Sequence, residues 1–292
     1  MKTILITGAG PHGVTGNRLK DLLKTEYNIL NPGSKELDLR DSNAVGEYFS
    51  THKIDYVIHS AVVYPSKESQ YSETDENLRM FYNLKENSHL VEKMFYLGSG
   101  AEYGKQRDIV NVVEEQIGEV LPDDTYGLFK YKMNEEARRS GNIYNIRLFG
   151  TINPNESYKK NLISNLFAKA VKGLPLTLNR NCRFSFVDID DVAGFIKFGI
   201  ENELAFHDYN FKGGDYYLSE IADEICRIAH RPEGVRFLQE GLNKEYTGDD
   251  SRARAVYPVR TGLSQSLRKV YDRILSIAEE IDPDTIDERW KK

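Results

Sequence analysis

The chain has 292 residues, 40% of them hydrophobic, and a net charge of −6. The length accommodates one large α/β domain or a large and a small lobe. The acidic balance, with both signs interspersed, argues against nucleic acid as the main partner. No apolar run approaches the ~18 residues that would read as a membrane span, so no membrane partner is expected. The two cysteines, Cys182 and Cys226, lie far apart and outside any Cys-x-x-Cys pair. They read as reduced, buried thiols in a cytoplasmic protein, and no metal-ligand cluster is expected. The N-terminus runs directly into a strand pattern and carries no signal-peptide signature.

Residues 3–7, Thr-Ile-Leu-Ile-Thr, read as a buried strand. They lead into Gly8-Ala9-Gly10-Pro11-His12-Gly13-Val14-Thr15-Gly16, and a helix follows with Leu19, Leu22 and Leu23 on one face. Strand, glycine loop and helix at this spacing form the context of a dinucleotide-binding turn. Glycine lets backbone N–H groups approach a pyrophosphate, and the helix N-terminus adds partial positive charge. Two registers fit, Gly8-x-Gly10-x-x-Gly13 and Gly10-x-x-Gly13-x-x-Gly16. The second is preferred because the helix then opens at Gly16, and Gly10, Gly13, Val14, Thr15 and Gly16 become the phosphate-side residues.

A second strand is expected at residues 28–30. About twenty residues past the glycines an acid would hold the adenosine ribose. Here Asn31-Pro32-Gly33-Ser34-Lys35 precedes the first acid, Glu36. A missing carboxylate, with Ser34 and Lys35 nearby, favours NADP(H) over NAD(H). Further strands are expected at residues 55–62, with His59 as a packed core residue, at 94–97, and at 145–149. Helical patterns occupy residues 74–92 and the segment that follows Asp124. Steady alternation of strand and helix argues for an α/β chain with a doubly wound parallel sheet covered on both faces. After residue 150 the alternation loosens. Helices are expected at residues 161–172, at 219–230 with Ser219 as N-cap, and at 264–279.

Tyr126 and Lys130 are four apart on one helical face. A phenol beside an ammonium is a proton-transfer device, because the positive charge favours the phenolate. Among 18 tyrosines the spacing alone carries little weight. Ser99 lies just past the carboxyl end of an expected parallel strand, where doubly wound sheets bind ligands.

Together these residues resemble the extended short-chain dehydrogenase/reductases of the nucleotide-sugar epimerase/dehydratase group. The resemblance covers nearly the whole chain. It rests on the glycine loop, Leu37-Asp38-Leu39-Arg40-Asp41, Val57-Ile58-His59-Ser60-Ala61, Leu97-Gly98-Ser99, Tyr126 with Lys130, Arg147-Leu148-Phe149 and residues 183–192, all in the family's order. It implies a Rossmann-type NAD(P)-binding domain over residues 1–155. A smaller substrate-binding lobe would span 156–292, with some segments returning to the Rossmann sheet. It further implies catalysis by Ser99, Tyr126 and Lys130, and cofactor contacts at Asp38, Leu39, Ala61, Tyr126 and Lys130. Substrate contacts are implied at Ser99, Asn161 and Arg183, and a homodimer through the helices carrying Leu78 and Tyr126. The glycine loop carries two extra residues after Thr7 compared with the family.

The resemblance also narrows the reaction. The family's dehydratases place an acid/base pair just after the catalytic serine, where this chain has Gly100 and Ala101. Glu102, one position on, would point elsewhere on an extended segment. The GDP-fucose synthases, which the N-terminal half resembles most, epimerise with a Cys and a His. Those positions fall at Ala101 and near Lys160-Asn161. What remains is a C4 reductase of a nucleotide-diphospho-4-keto-6-deoxysugar in surface polysaccharide synthesis. The alternatives are a nucleotide-sugar 4-epimerase with bound NAD, and a catalytically silent cofactor-binding sensor or assembly protein.

Overall fold

The computed structural model describes residues 1–11, 13–63 and 72–286. Strand β1 (Thr3–Thr7) is buried along its whole length, as its unbroken β-branched and aliphatic run requires for a strand covered on both faces. Helix α1 (Val14–Leu23), β2 (Asn28–Leu30), α2 (Ser42–Thr51), β3 (Tyr56–His59), α3 (Glu73–Glu86) and β4 (Lys93–Ser99) follow. The next elements are β5 (Ile109–Val112), α4 (Thr125–Arg138), β6 (Ile143–Leu148), β7 (Gly150–Ile152), α5 (Leu162–Val171), β8 (Thr177–Leu178) and β9 (Arg183–Asp188). The chain continues through α6 (Ile189–Glu201), β10 (Asp208–Phe211), β11 (Gly214–Tyr217), α7 (Leu218–Ile228), β12 (Arg236–Phe237), β13 (Tyr246–Gly248), α8 (Ser251–Arg254) and α9 (Leu263–Ser276).

The main sheet runs β10-β6-β4-β3-β1-β2, and every pairing in it is parallel. Successive side chains of β1 go to opposite faces. Ile4 and Ile6 join Leu19, Phe95, Ile146, Val192 and Phe195 beneath α1 and α6. Leu5 joins Val45, Phe81, Met94, Phe129 and Met133 beneath α2, α3 and α4. Strand β1 is flanked by β2 on one side and β3 on the other. The carboxyl ends of β1 and β3, where the strand order reverses, are the place where such sheets take ligands.

A second sheet, β11-β9-β13-β5 with β7 also on β9, lies at the carboxyl end of the first. Helices α5, α7 and α9 share a separate core with it, built from Ile163, Leu166, Phe167, Phe186, Ile225, Leu267 and Val270. Helix α7 begins earlier than the pattern suggested. Its N-cap is Tyr217, whose N–H donates to Glu220 at 2.7 Å. Ser219 instead lies inside the first turn, bonded to Asn181.

Candidate active site

The glycine turn is set by collisions that side chains would cause. Gly8 has φ +74°, and a Cβ there would lie 2.7 Å from the Ala61 nitrogen. A Cβ on Gly13 would approach the Gly8 carbonyl oxygen to 1.7 Å, and one on Gly16 would approach it to 2.4 Å. The steric requirement therefore falls on Gly8, Gly13 and Gly16, which corrects the expected register starting at Gly10. At Gly10, among the described residues, a Cβ would meet only the Gly33 Cα, at 3.9 Å. Its carbonyl accepts from the Gly13 N–H at 2.9 Å and from Asn17 Nδ2 at 2.8 Å. The two extra residues are thus absorbed between Gly8 and Gly13. Helix α1 opens at Val14 rather than Gly16, so Val14, Thr15 and Gly16 form its first turn. Their N–H groups have no acceptor within the helix, and the surrounding glycines clear the approach. This cradle fits a dinucleotide pyrophosphate.

Ser34 and Lys35 are exposed in the turn after β2. The Glu36 carboxylate folds back and accepts from the Gly33 N–H at 2.7 Å. Asp38 is held by Arg40 through two bonds of 2.9 Å, and this pairing keeps its carboxyl below the usual range. Leu39 is buried, and Ala61 is half-buried beside Gly8.

Two approaches of α4, one to β4 and one to the turn after it, set the segments carrying Ser99, Tyr126 and Lys130 side by side. Asp124 caps α4 by accepting from the Gly127 N–H at 2.9 Å. Lys130 crosses one turn later and donates from Nζ to the Leu97 carbonyl at 2.6 Å. Gly127 packs so closely on the turn after β4 that a Cβ would come within 2.7 Å of the Ala101 oxygen. Leu97 and Ala101 bracket Ser99, and Gly127 and Lys130 follow Tyr126 on the same helix. Tyr126 is half-buried, with Lys130 Nζ 5.9 Å from its ring centre. Lys130 is only 4% exposed. Burial lowers its ammonium to about 8, an effect that Glu102 partly offsets.

The turn carrying Glu102 is not extended. Residues Gly100–Tyr103 form a 3-10 turn, which swings the Glu102 carboxylate inward. There it meets Arg147 Nε at 2.7 Å, both side chains being 0% exposed. Glu102 also accepts from the Ser99 N–H at 2.9 Å. It is a buried structural group beneath the serine, which replaces the expectation that it points aside on a strand.

The model of the NAD-dependent epimerase/dehydratase family matches residues 4–211. The chain belongs to that family. A GDP-L-colitose synthase of Yersinia pseudotuberculosis is 27% identical over 255 residues, covering 77% of this chain and 81% of the relative. Among solved structures, a GDP-mannoheptose C4 reductase of Campylobacter jejuni with NADP bound superposes with TM-score 0.76 at 20% identity, over 94% of this chain and 98% of that one. A GDP-L-fucose synthetase of Naegleria fowleri gives TM-score 0.79 at 19% identity, over 95% and 94%. An enzyme of Bordetella bronchiseptica in complex with NAD and UDP gives 0.79 at 17%, over 94% of each chain.

As a member of the epimerase/dehydratase family, the chain is an NAD(P)-dependent enzyme of oxidoreductase type. Of the family's expected substrate residues, Arg183 opens β9 and is 40% exposed, between Glu245 at 3.4 Å and Asp215 at 3.7 Å. It lies beside Phe184, which pairs in register with Tyr246. Asn161 stands further along, as the N-cap of α5, with its side chain not engaged in capping. Two arginines on α8, Arg252 and Arg254, are engaged by acidic partners. Arg252 meets Asp208 at 3.1 Å and pairs with Glu115, while Arg254 pairs with Asp250. Among the described residues, no group of three or more His, Cys, Asp or Glu side chains is arranged to hold a metal, and no helix is long and apolar enough to cross a membrane.

One neighbour of Ser99 escaped the sequence reading altogether. The hydroxyl of Tyr246, from β13, lies 3.3 Å from Ser99 Oγ. No local pattern marks it, since 147 residues separate the two.

Proposed function

We propose that the chain is an NADPH-dependent reductase of the C4 carbonyl of a nucleotide-diphospho-4-keto-6-deoxysugar. The observation that carries the reading is the bracketing of Ser99 by two α4 contacts, with Tyr126 and Lys130 on that helix and the glycine cradle at the same end of the sheet. The names of the relatives, a colitose synthase, a fucose synthetase and a mannoheptose C4 reductase, support a GDP-linked substrate.

When bound, the cofactor supplies a hydride to the carbonyl carbon. Residues Val14, Thr15 and Gly16 would hold its pyrophosphate by backbone N–H groups, with Gly13 keeping the approach clear, and Lys130 and Ala61 would contact the cofactor. Ser99 donates a hydrogen bond to the carbonyl oxygen as negative charge builds there. Tyr126 delivers a proton to that oxygen, completing the alcohol, and the Lys130 ammonium stabilises the phenolate left behind. Arg183 and Asn161 take the nucleotide diphosphate and the sugar. Ser34 and Lys35 favour the 2′-phosphate of NADP, since the Glu36 carboxylate is occupied by the Gly33 N–H. A homodimer through the outer faces of α3 and α4 completes the proposal.

The second reading, a 4-epimerase retaining NAD, is favoured by one observation: the Glu36 carboxylate is bonded to Gly33, whose Cα lies beside Gly10 of the glycine turn. Loss of NADPH absorbance at 340 nm is followed with GDP-, UDP-, dTDP- and CDP-linked 4-keto sugars. A reductase consumes NADPH in proportion to product, and Tyr126→Phe lowers turnover by about 10²–10⁴-fold. Interconversion of sugars without net cofactor use sinks the reductase in favour of the epimerase. Cofactor binding with no turnover on any sugar points to a silent binding protein.

A further inference from the structure

The bond between Tyr246 and Ser99 has a consequence for which way the serine proton points. A hydroxyl oxygen has two lone pairs and one proton to place. One lone pair of Ser99 Oγ is taken by the Ala101 N–H, at 3.2 Å. Among the described residues, its other polar contact is Tyr246, at 3.3 Å. If Ser99 donated to Tyr246, its proton would be turned away from any substrate carbonyl. If Tyr246 donates, both serine lone pairs are filled and the serine proton is left for a substrate oxygen. The tyrosine hydroxyl is suited to the donor role. Burial pushes it above the ordinary phenol range, and although its bond with Ser99 pulls the other way, the neighbouring Tyr126, Glu102 and Asp124 push it up as well. Tyr246 therefore keeps its proton.

The ring is fixed in that position by its surroundings. It packs against Phe184 at 4.7 Å and Phe149 at 5.3 Å between ring centres. Its backbone is paired with Ile109 of β5 and Phe184 of β9. Two glycines make room for this aromatic group. A Cβ on Gly100 would strike Phe149 at 2.4 Å and Tyr246 Cζ at 2.9 Å, and one on Gly248 would strike Phe149 at 2.2 Å. Such a cluster preorganises one hydroxyl over another, which is how a supporting group raises the effectiveness of a hydrogen-bond donor.

Resting on the reductase reading above, we infer that Tyr246 is a positioning residue for Ser99. It donates to the serine oxygen and thereby aims the serine proton at the substrate carbonyl. It does not touch the reacting atoms itself. Replacing it should weaken transition-state stabilisation while leaving substrate binding alone.

The test is a double-mutant cycle on the full chain, with NADPH and GDP-4-keto-6-deoxymannose as probes. Tyr246→Phe keeps the ring packing and removes only the hydroxyl. It should lower kcat roughly three- to ten-fold, the worth of one hydrogen bond, with KM unchanged. In a Ser99→Ala background the same change should have no further effect on the residual rate. An equal loss in both backgrounds, or no loss in either, overturns the proposal; the first outcome would mean that Tyr246 matters only to the fold. A readout independent of turnover is the tyrosine ¹³Cζ NMR spectrum. The resonance absent from Tyr246→Phe should move in Ser99→Ala, and an unmoved resonance refutes the bond. A wild-type chain inactive on every 4-keto sugar nucleotide would refute the function instead, and the NMR comparison would still decide the bond.

Discussion

At the scale of single residues, burial sets the charge states that the site depends on. Lys130 is buried and lowered to about 8, so its ammonium is retained at neutral pH and lost soon above it. Because kcat/KM reports groups of the free enzyme, we expect kcat/KM for carbonyl reduction to fall as pH rises through about 8. A Lys130→Met variant should keep a small residual rate without that limb, and a pH–rate series on both proteins checks it. His59 illustrates the opposite fate of an ionisable group. It is 2% exposed, bonded through Nδ1 to Thr7 Oγ1 at 2.8 Å, and burial, reinforced by Lys130, lowers it to about 3. Its folded-state value lies below its unfolded value near 6.5. The unfolded chain therefore binds the extra proton between those limits, and stability falls as pH drops from about 6.5 towards 3. Melting temperatures from pH 7 to 4.5 should decline less steeply in His59→Asn than in the wild type, even though the variant starts lower.

At the scale of elements, the glycine turn shows how a loop is specified by what it touches. Gly8, Gly13 and Gly16 interlock, and each would lose its place to a methyl group. Among the described residues Gly10 meets no such obstacle and offers a carbonyl to the Gly13 N–H and to Asn17. The two classes of glycine should behave differently on substitution. Gly13→Ala forces a collision with the Gly8 backbone and should abolish NADPH binding along with much of the fold's stability. Gly10→Ala should fold with a melting temperature close to wild type and keep cofactor affinity. Titration of NADPH fluorescence beside thermal melts separates the two, and a Gly10→Ala variant as damaged as Gly13→Ala would sink the revised register. The 3-10 turn after β4 follows the same logic. Its cap, in which Ser99 Oγ accepts from the Ala101 N–H and the Glu102 carboxylate accepts from the Ser99 N–H, orients the serine and buries the carboxylate with one local device.

At the scale of the whole molecule, a chain of buried charges ties the site to the far end of the sheet. Arg147 on β6 bridges Glu102 at 2.7 Å and Asp208 on β10 at 3.1 Å, and also donates to Asn210 at 3.0 Å. Arg138 on α4 and Arg252 on α8 close on the same Asp208. Burial alone would raise the Asp208 carboxyl, but Arg147 and Arg138 outweigh it and hold it low. Segments more than a hundred residues apart thus share one polar core beneath the serine turn. Arg147→Met leaves Glu102 buried without its counter-charge and should cost about 3–5 kcal/mol of stability, measured by urea unfolding. A loss below about 1 kcal/mol would mean that water reaches the network.

Much of this protein could be read directly from contiguous residues. Strand β1 is a hydrophobic run, α4 has Asp124 as its cap with Tyr126 and Lys130 four apart, and the glycines follow a strand and open a helix. Period, capping and turn chemistry are local, so they survive in the linear order. Only the tertiary structure decided that Gly8 rather than Gly10 begins the glycine turn, because the obstacle is Ala61, brought alongside by strand pairing. Likewise it decided that Glu102 serves Arg147, and that Tyr246 stands over Ser99. Those relations depend on which distant segments the sheet places side by side, and neither spacing nor composition carries that information.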